Sequence, residues 1–115
     1  MPVKNINAEE LQAFINKGDV EIIDIRDARE YDVVHLKNSK LIPMQEILDR
    51  VNDIDWNKKV ILVCRSGGRS LFIAQQLSNL GKQVYNLEHG LLECYQNKTK
   101  YDLETQQTGV EKYFI

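Results

Sequence analysis

The sequence predicts an α/β fold: a mainly parallel central sheet of about five strands, with helices on both faces. Three observations carry this. Apolar, β-branched strand segments alternate with amphipathic helical ones along the chain. The run Val60-Ile61-Leu62-Val63 is continuously apolar, the pattern of a parallel strand covered on both sides. Helix starts and stops are marked by capping residues and glycines, with no linker, repeat or low-complexity stretch between them.

The elements follow in order. Asn7-Ala8-Glu9-Glu10 reads as a capping box, with Asn7 at the N-cap and Glu10 three residues on. Leu11, Phe14 and Ile15 then recur at helical spacing, and Gly18 ends the helix. Val20–Ile25 is a strand. Asp27-Ala28-Arg29-Glu30 repeats the capping logic and opens a short helix through about Val33. Leu41-Ile42 is a short strand closed by Pro43. Met44, Ile47, Leu48 and Val51 form one face of an expected helix, and a polar turn around Trp56 follows. Lys59–Val63 is the central strand. The next helix is expected to present Ile73, Ala74, Leu77 and Leu80 on one side and to stop at Gly81. Gln83–Leu87 is a strand, and a last helix runs from Gly90 to about Asn97.

With 115 residues the chain is sized for one domain and one core. Hydrophobic residues make up 43% and charged residues 28%, which excludes a disordered chain. The domain is expected over residues 1–98. Residues 99–115 read as a C-terminal extension, packed on the domain or partly mobile, with Val110, Tyr113, Phe114 and Ile115 as its apolar end. A net charge of −2 with interspersed signs points to neither nucleic acid nor a membrane as partner. The first residues lack the apolar stretch of a signal peptide, so a cytoplasmic protein is expected. Two cysteines are too few for a disulfide framework or a four-cysteine zinc site.

The chemistry gathers at Cys64-Arg65-Ser66-Gly67-Gly68-Arg69-Ser70. In an open α/β sheet, sites form at the carboxyl ends of the strands, and Cys64 ends the central one. A thiol at a helix start beside arginines commonly titrates between ~3.5 and ~7.5 rather than near ~8.5, so a thiolate nucleophile is expected. Gly67 and Gly68 are expected to let the backbone curl around the sulfur. The N–H groups from Arg65 to Ser70 then form an anion nest, and Arg69 can fork two hydrogen bonds onto an oxyanion. The substrate-binding set is therefore Arg65, Ser66, Gly67, Gly68, Arg69 and Ser70 around a catalytic Cys64.

Four residues separate Cys64 from Arg69, one fewer than in cysteine phosphatases and arsenate reductases. The shorter loop resembles the rhodanese family. The resemblance reaches to about Tyr95 and includes Asp24-Ile25-Arg26-Asp27-Ala28-Arg29-Glu30-Tyr31, His35-Leu36, Ile42-Pro43 and, after the loop, Ala74, Leu77, Gly81, Val84, Leu87 and Gly90. It implies a thiosulfate or persulfide sulfurtransferase in which Cys64 carries the sulfur as a persulfide. The implied partners are a small anionic sulfur donor and a thiol or protein acceptor. No metal or organic cofactor is implied, and the oligomeric state stays open. Two alternatives stand beside this: a binding or regulatory module that kept only the fold, and a phosphatase or arsenate reductase on a similar scaffold.

Asp24, Arg26 and Glu30 match the family's first motif and are read as supporting residues. Asp24 or Glu30 is expected to orient a loop arginine, Asp27 to cap a helix, and His35 to be structural. The chain departs from the family pattern in four places. Val34 stands at a usual glycine, and Asn38-Ser39 at a usual Gly-Ala. These are expected to alter the path of a connection. His89 replaces a glycine and either lines the pocket or sits in an exposed loop. Cys94 stands where the family often has tryptophan. It reads as a small core residue, with sulfur relay or a disulfide to Cys64 as the alternative. The missing aromatic leaves space, or is replaced by Trp56, Phe72 or the tail.

Overall fold

The computed structural model describes residues 2–97, 103–105 and 110–114. Five strands form one parallel sheet: β1 (Lys4–Ile6), β2 (Val20–Asp24), β4 (Lys40–Leu41), β5 (Lys59–Val63) and β6 (Tyr85–Leu87), in the order β1-β6-β5-β2-β4. A separate antiparallel ribbon joins β3 (Val34–Leu36) to β7 (Leu103–Thr105), which lies in the C-terminal extension. The helices are α1 (Ala8–Lys17), α2 (Ala28–Val33), α3 (Gly68–Asn79), α4 (Gly90–Gln96) and α5 (Val110–Tyr113). Among the described residues no helix is long and apolar enough to cross a membrane.

The central strand shows why both faces are covered. Ile61 and Val63 point into one core layer with Leu11 of α1 and Leu91 and Cys94 of α4. Val60, Leu62 and the following Cys64 point into the other, with Ile47 and with Ile73, Ala74 and Leu77 of α3. Alternation along a strand sends neighbouring side chains to opposite faces. A continuously apolar strand therefore needs two apolar layers, and it has them.

The caps form as their chemistry requires. Asn7 accepts from the Glu10 N–H while the Glu10 side chain accepts from the Asn7 N–H, and Gly18 closes α1 in the left-handed region at φ 83°. Asp27 caps α2 through the Glu30 N–H at 2.8 Å.

Several features differ from the sequence reading, the β3–β7 ribbon among them, since neither of its strands is expected there. The expected helix over Met44–Val51 is a 3-10 segment, Ile47–Asp53, broken at Arg50. It lacks a side-chain cap. Ile47 is buried and Met44 and Val51 pack against the same cluster, but Leu48 is 49% exposed, so the stripe docks without it. Leu80 is 61% exposed because α3 ends at Asn79, one residue before it. The strand β1 was not anticipated; it pairs with β6 at the sheet edge and supplies the fifth strand.

Candidate active site

Cys64 leaves the carboxyl end of β5, between β2 and β6, and the chain turns at once into α3. The turn aims donors back at the sulfur. Cys64 Sγ accepts from the Gly67 N–H at 3.1 Å and from the Ser70 N–H at 3.4 Å. Helix-start N–H groups lack partners within the helix, so a sulfur bearing negative charge is a suitable acceptor for them. Cys64 is only 1% exposed.

The turn is possible because of one glycine, not two. Gly67 sits at φ 99°, and a Cβ there would lie 1.8 Å from the Glu88 carbonyl oxygen. Gly68, expected to share this role, is the first residue of α3, and a Cβ on it would meet nothing within 4 Å. From the other side, α4 starts against the loop backbone. Leu91 N–H donates to Cys64 O at 3.0 Å and Leu92 N–H to Arg65 O at 2.9 Å. A Cβ on Gly90 would lie 2.5 Å from Arg65 O.

Ser70 and Asn86 buttress the turn. Ser70 Oγ lies 3.3 Å from Sγ, 3.2 Å from Gly67 O and 2.5 Å from Asn86 Oδ1. One hydroxyl proton cannot serve all three, and the shortest approach is to Asn86. The Asn86 amide donates to Gly67 O at 3.3 Å and to Asn5 Oδ1 at 2.9 Å. Sequence reasoning missed Asn86. Its signal was a polar residue inside the apolar strand segment Val84-Tyr85-Asn86-Leu87.

The arginines have separate engagements. Arg69 forks both terminal nitrogens onto Glu30, each at 2.8 Å. Its fork is thus turned to a carboxylate of the protein, and Glu30 is the acid that orients a loop arginine. Asp24 instead pairs with Arg26, through Nη2 at 2.7 Å and Nε at 2.9 Å, both side chains being fully buried. Arg26 also donates to the carbonyls of Glu30 and Val34, which ties β2 to α2 and β3. Removing one partner of such a buried pair costs about 3–5 kcal/mol. Ser66 and Gly68 are exposed on the rim of the turn.

Tyr113 of α5 is the second residue the sequence did not assign. Its hydroxyl donates to Glu30 Oε2 at 2.6 Å, and its carbonyl accepts from Arg65 Nε at 2.9 Å. Glu30 is thereby held at a pKa of about 2, chiefly by the Arg69 hydrogen bonds, which outweigh its partial burial, with Tyr113 adding to them. Burial, and then donation to Glu30, push the Tyr113 hydroxyl up to about 12.

The rhodanese-like domain profile matches residues 7–97. The chain belongs to the rhodanese-like family. Over 86 residues it is 33% identical to the putative sulfur carrier protein YrkF of Bacillus subtilis, covering 70% of this chain and 46% of that protein. The chain therefore spans less than half of that relative's length. Over 91 residues it is 32% identical to the thiosulfate sulfurtransferase GlpE of Coxiella burnetii, covering 78% of this chain and 85% of that one. A rhodanese-like domain protein from Staphylococcus aureus superimposes with a TM-score of 0.74 at 30% identity, covering 91% of this chain and 100% of that one. The family is one of sulfur transfer.

The departures from the rhodanese-like pattern now have positions. Val34 starts β3 in extended conformation, φ −160°, where no glycine is required. Asn38 takes φ 65°, a left-handed conformation that asparagine tolerates better than other side chains. His89 is exposed, next to the first residue of α4. His35 stacks on Tyr31 at 3.8 Å and bonds the Tyr31 carbonyl, a structural placement. Cys94 is 0% exposed in the core layer opposite Cys64, and burial, with Glu93 nearby, raises its pKa to about 12. Both cysteines are free thiols. Of the three groups offered to fill the missing tryptophan's place, the tail supplies one: Phe114 lies in the cluster that holds Cys94. Trp56 packs on the other layer and Phe72 is exposed.

Proposed function

We propose that the protein is a sulfurtransferase in which Cys64 accepts a sulfane sulfur and passes it on. The observation that carries this reading is the sulfur's setting: a cysteine at the end of the central strand, faced by two N–H groups of a helix-start turn and flanked by Arg65 and Arg69. In the donor step the Cys64 thiolate attacks the outer sulfur of thiosulfate or of a persulfide. A new S–S bond forms, the donor's own S–S bond breaks, and sulfite or a thiolate leaves with the electron pair. In the acceptor step a thiolate attacks the terminal sulfur of the Cys64 persulfide. It departs as a persulfide and Cys64 is restored as thiolate. The charge balances in both steps, so no external oxidant or reductant enters.

The parts divide as follows. Gly67 and Ser70 N–H groups stabilise negative charge on the Cys64 sulfur. Arg65, its Nε held by the Tyr113 carbonyl, is given the donor anion in this reading. Arg69, held by Glu30, is a positioning residue that secures the start of α3 to α2 while its charge still acts on the Cys64 sulfur. A reducing cytoplasmic setting, which keeps both cysteines free, belongs to this reading.

The test is turnover. The purified protein with thiosulfate and cyanide is expected to release thiocyanate, and Cys64→Ser to release none while keeping the same circular dichroism. Equal turnover by the folded Cys64→Ser variant would overturn the assignment.

A further inference from the structure

Tyr113 lies outside the segment that matches the family, residues 7–97, yet it reaches the residues on which the loop arginines depend. Its hydroxyl serves Glu30, the carboxylate that holds Arg69. Its carbonyl takes Arg65 Nε, the inner nitrogen of the guanidinium. Its ring lies 5.7 Å from the Arg65 guanidinium carbon and 5.4 Å from that of Arg26. The seat is firm: the neighbouring Phe114 is buried, stacks on Tyr95 of α4 at 4.5 Å, and meets the Tyr113 ring edge-on at 4.9 Å.

The consequence concerns Arg65. A guanidinium is a planar fork with five N–H donors. Anchoring Nε fixes that plane, and the terminal nitrogens are then the ones that can grip an anion. An unanchored arginine would lose rotamer freedom on binding the donor; a seated one has already lost it. We propose that Tyr113 is a positioning residue that makes Cys64 selective for anionic reagents, by seating Arg65 directly and Arg69 through Glu30. This deepens the sulfur-transfer reading, since it assigns the donor's charge requirement to the C-terminal extension.

The test compares two alkylating agents of nearly equal size, iodoacetate and iodoacetamide, which differ in charge. Rates at Cys64 are followed by peptide mass, so the result does not depend on sulfur transfer. The unmodified protein is expected to favour iodoacetate relative to a free cysteine peptide. Tyr113→Ala should lower that preference by roughly tenfold, through loss of the ring and a loosened carbonyl. Tyr113→Phe keeps ring and carbonyl and should lower it by roughly threefold, through Glu30 alone. With thiosulfate, both variants should raise KM more than they lower kcat. An unchanged iodoacetate preference in folded Tyr113→Phe and Tyr113→Ala would overturn the proposal. So would an unchanged preference in Tyr113→Phe alone, should the alanine variant not fold. A protein that shows the charge preference but no thiocyanate release would keep this inference and lose the sulfurtransferase assignment.

Discussion

Cys64 and Cys94 are both buried, at 1% and 0% exposure, and both are free, but they are opposite kinds of thiol. Cys94 lies mid-helix in an apolar layer, where burial disfavours its thiolate and its pKa rises to about 12. Cys64 ends a strand and receives two N–H groups from the start of a helix. Equal burial therefore hides two different settings: one desolvated sulfur is given donors in place of water, and the other is given an apolar layer.

The largest effect expected from breaking this contrast comes at Cys64 itself. Cys64→Ser should abolish sulfur transfer, whereas Cys94→Ser should leave Cys64 loading intact, as thiocyanate assays of both variants would show. Next comes the turn. Gly67→Ala places a Cβ against the Glu88 carbonyl at a left-handed φ, and is expected to cost about 3 kcal/mol or more. The displaced donors should slow transfer by about 100-fold. Gly68→Ala, with open space and helical backbone, should leave both denaturant midpoint and rate near those of the unmodified protein.

Glu30→Gln tests the arginine seat. The native pKa of Glu30, about 2, lies below its usual 4.5, so the unfolded chain binds more protons in between. The pair's contribution is complete above about 4.5 and is lost as pH falls toward 2. Denaturant titrations should show a shallower acid loss of stability in Glu30→Gln over that window. At pH 7 the variant should lose only about 1 kcal/mol, because Arg69 is partly exposed to solvent. Cys94→Ala should lower the unfolding free energy by about 1 kcal/mol and leave turnover unchanged, so that only Gly68→Ala is expected to have a smaller effect.

Local chemistry made much of this legible in the sequence. The capping box at Asn7, the cap at Asp27, the central strand and the cysteine-to-arginine loop depend on neighbours a few residues away. Long-range partners were less so. The loop sequence offers Arg69 as an anion fork, and nothing local shows that Glu30, 39 residues earlier in the chain, holds that fork. Tyr113 meets Glu30 and Arg65 across 83 and 48 residues, and no local pattern marks it. Adjacent glycines look alike in sequence, and only the fold shows that Gly67, not Gly68, bears the positive φ. Met44–Val51 has the periodicity of a helix, but the segment there has no side-chain cap and breaks at Arg50.

The most direct measurement is peptide-resolved mass spectrometry of the protein after thiosulfate treatment. One added sulfur atom is expected on the peptide containing Cys64, removed by cyanide or a thiol, and none on the peptide containing Cys94. Sulfur retained on Cys94, or no sulfur on Cys64, would contradict it.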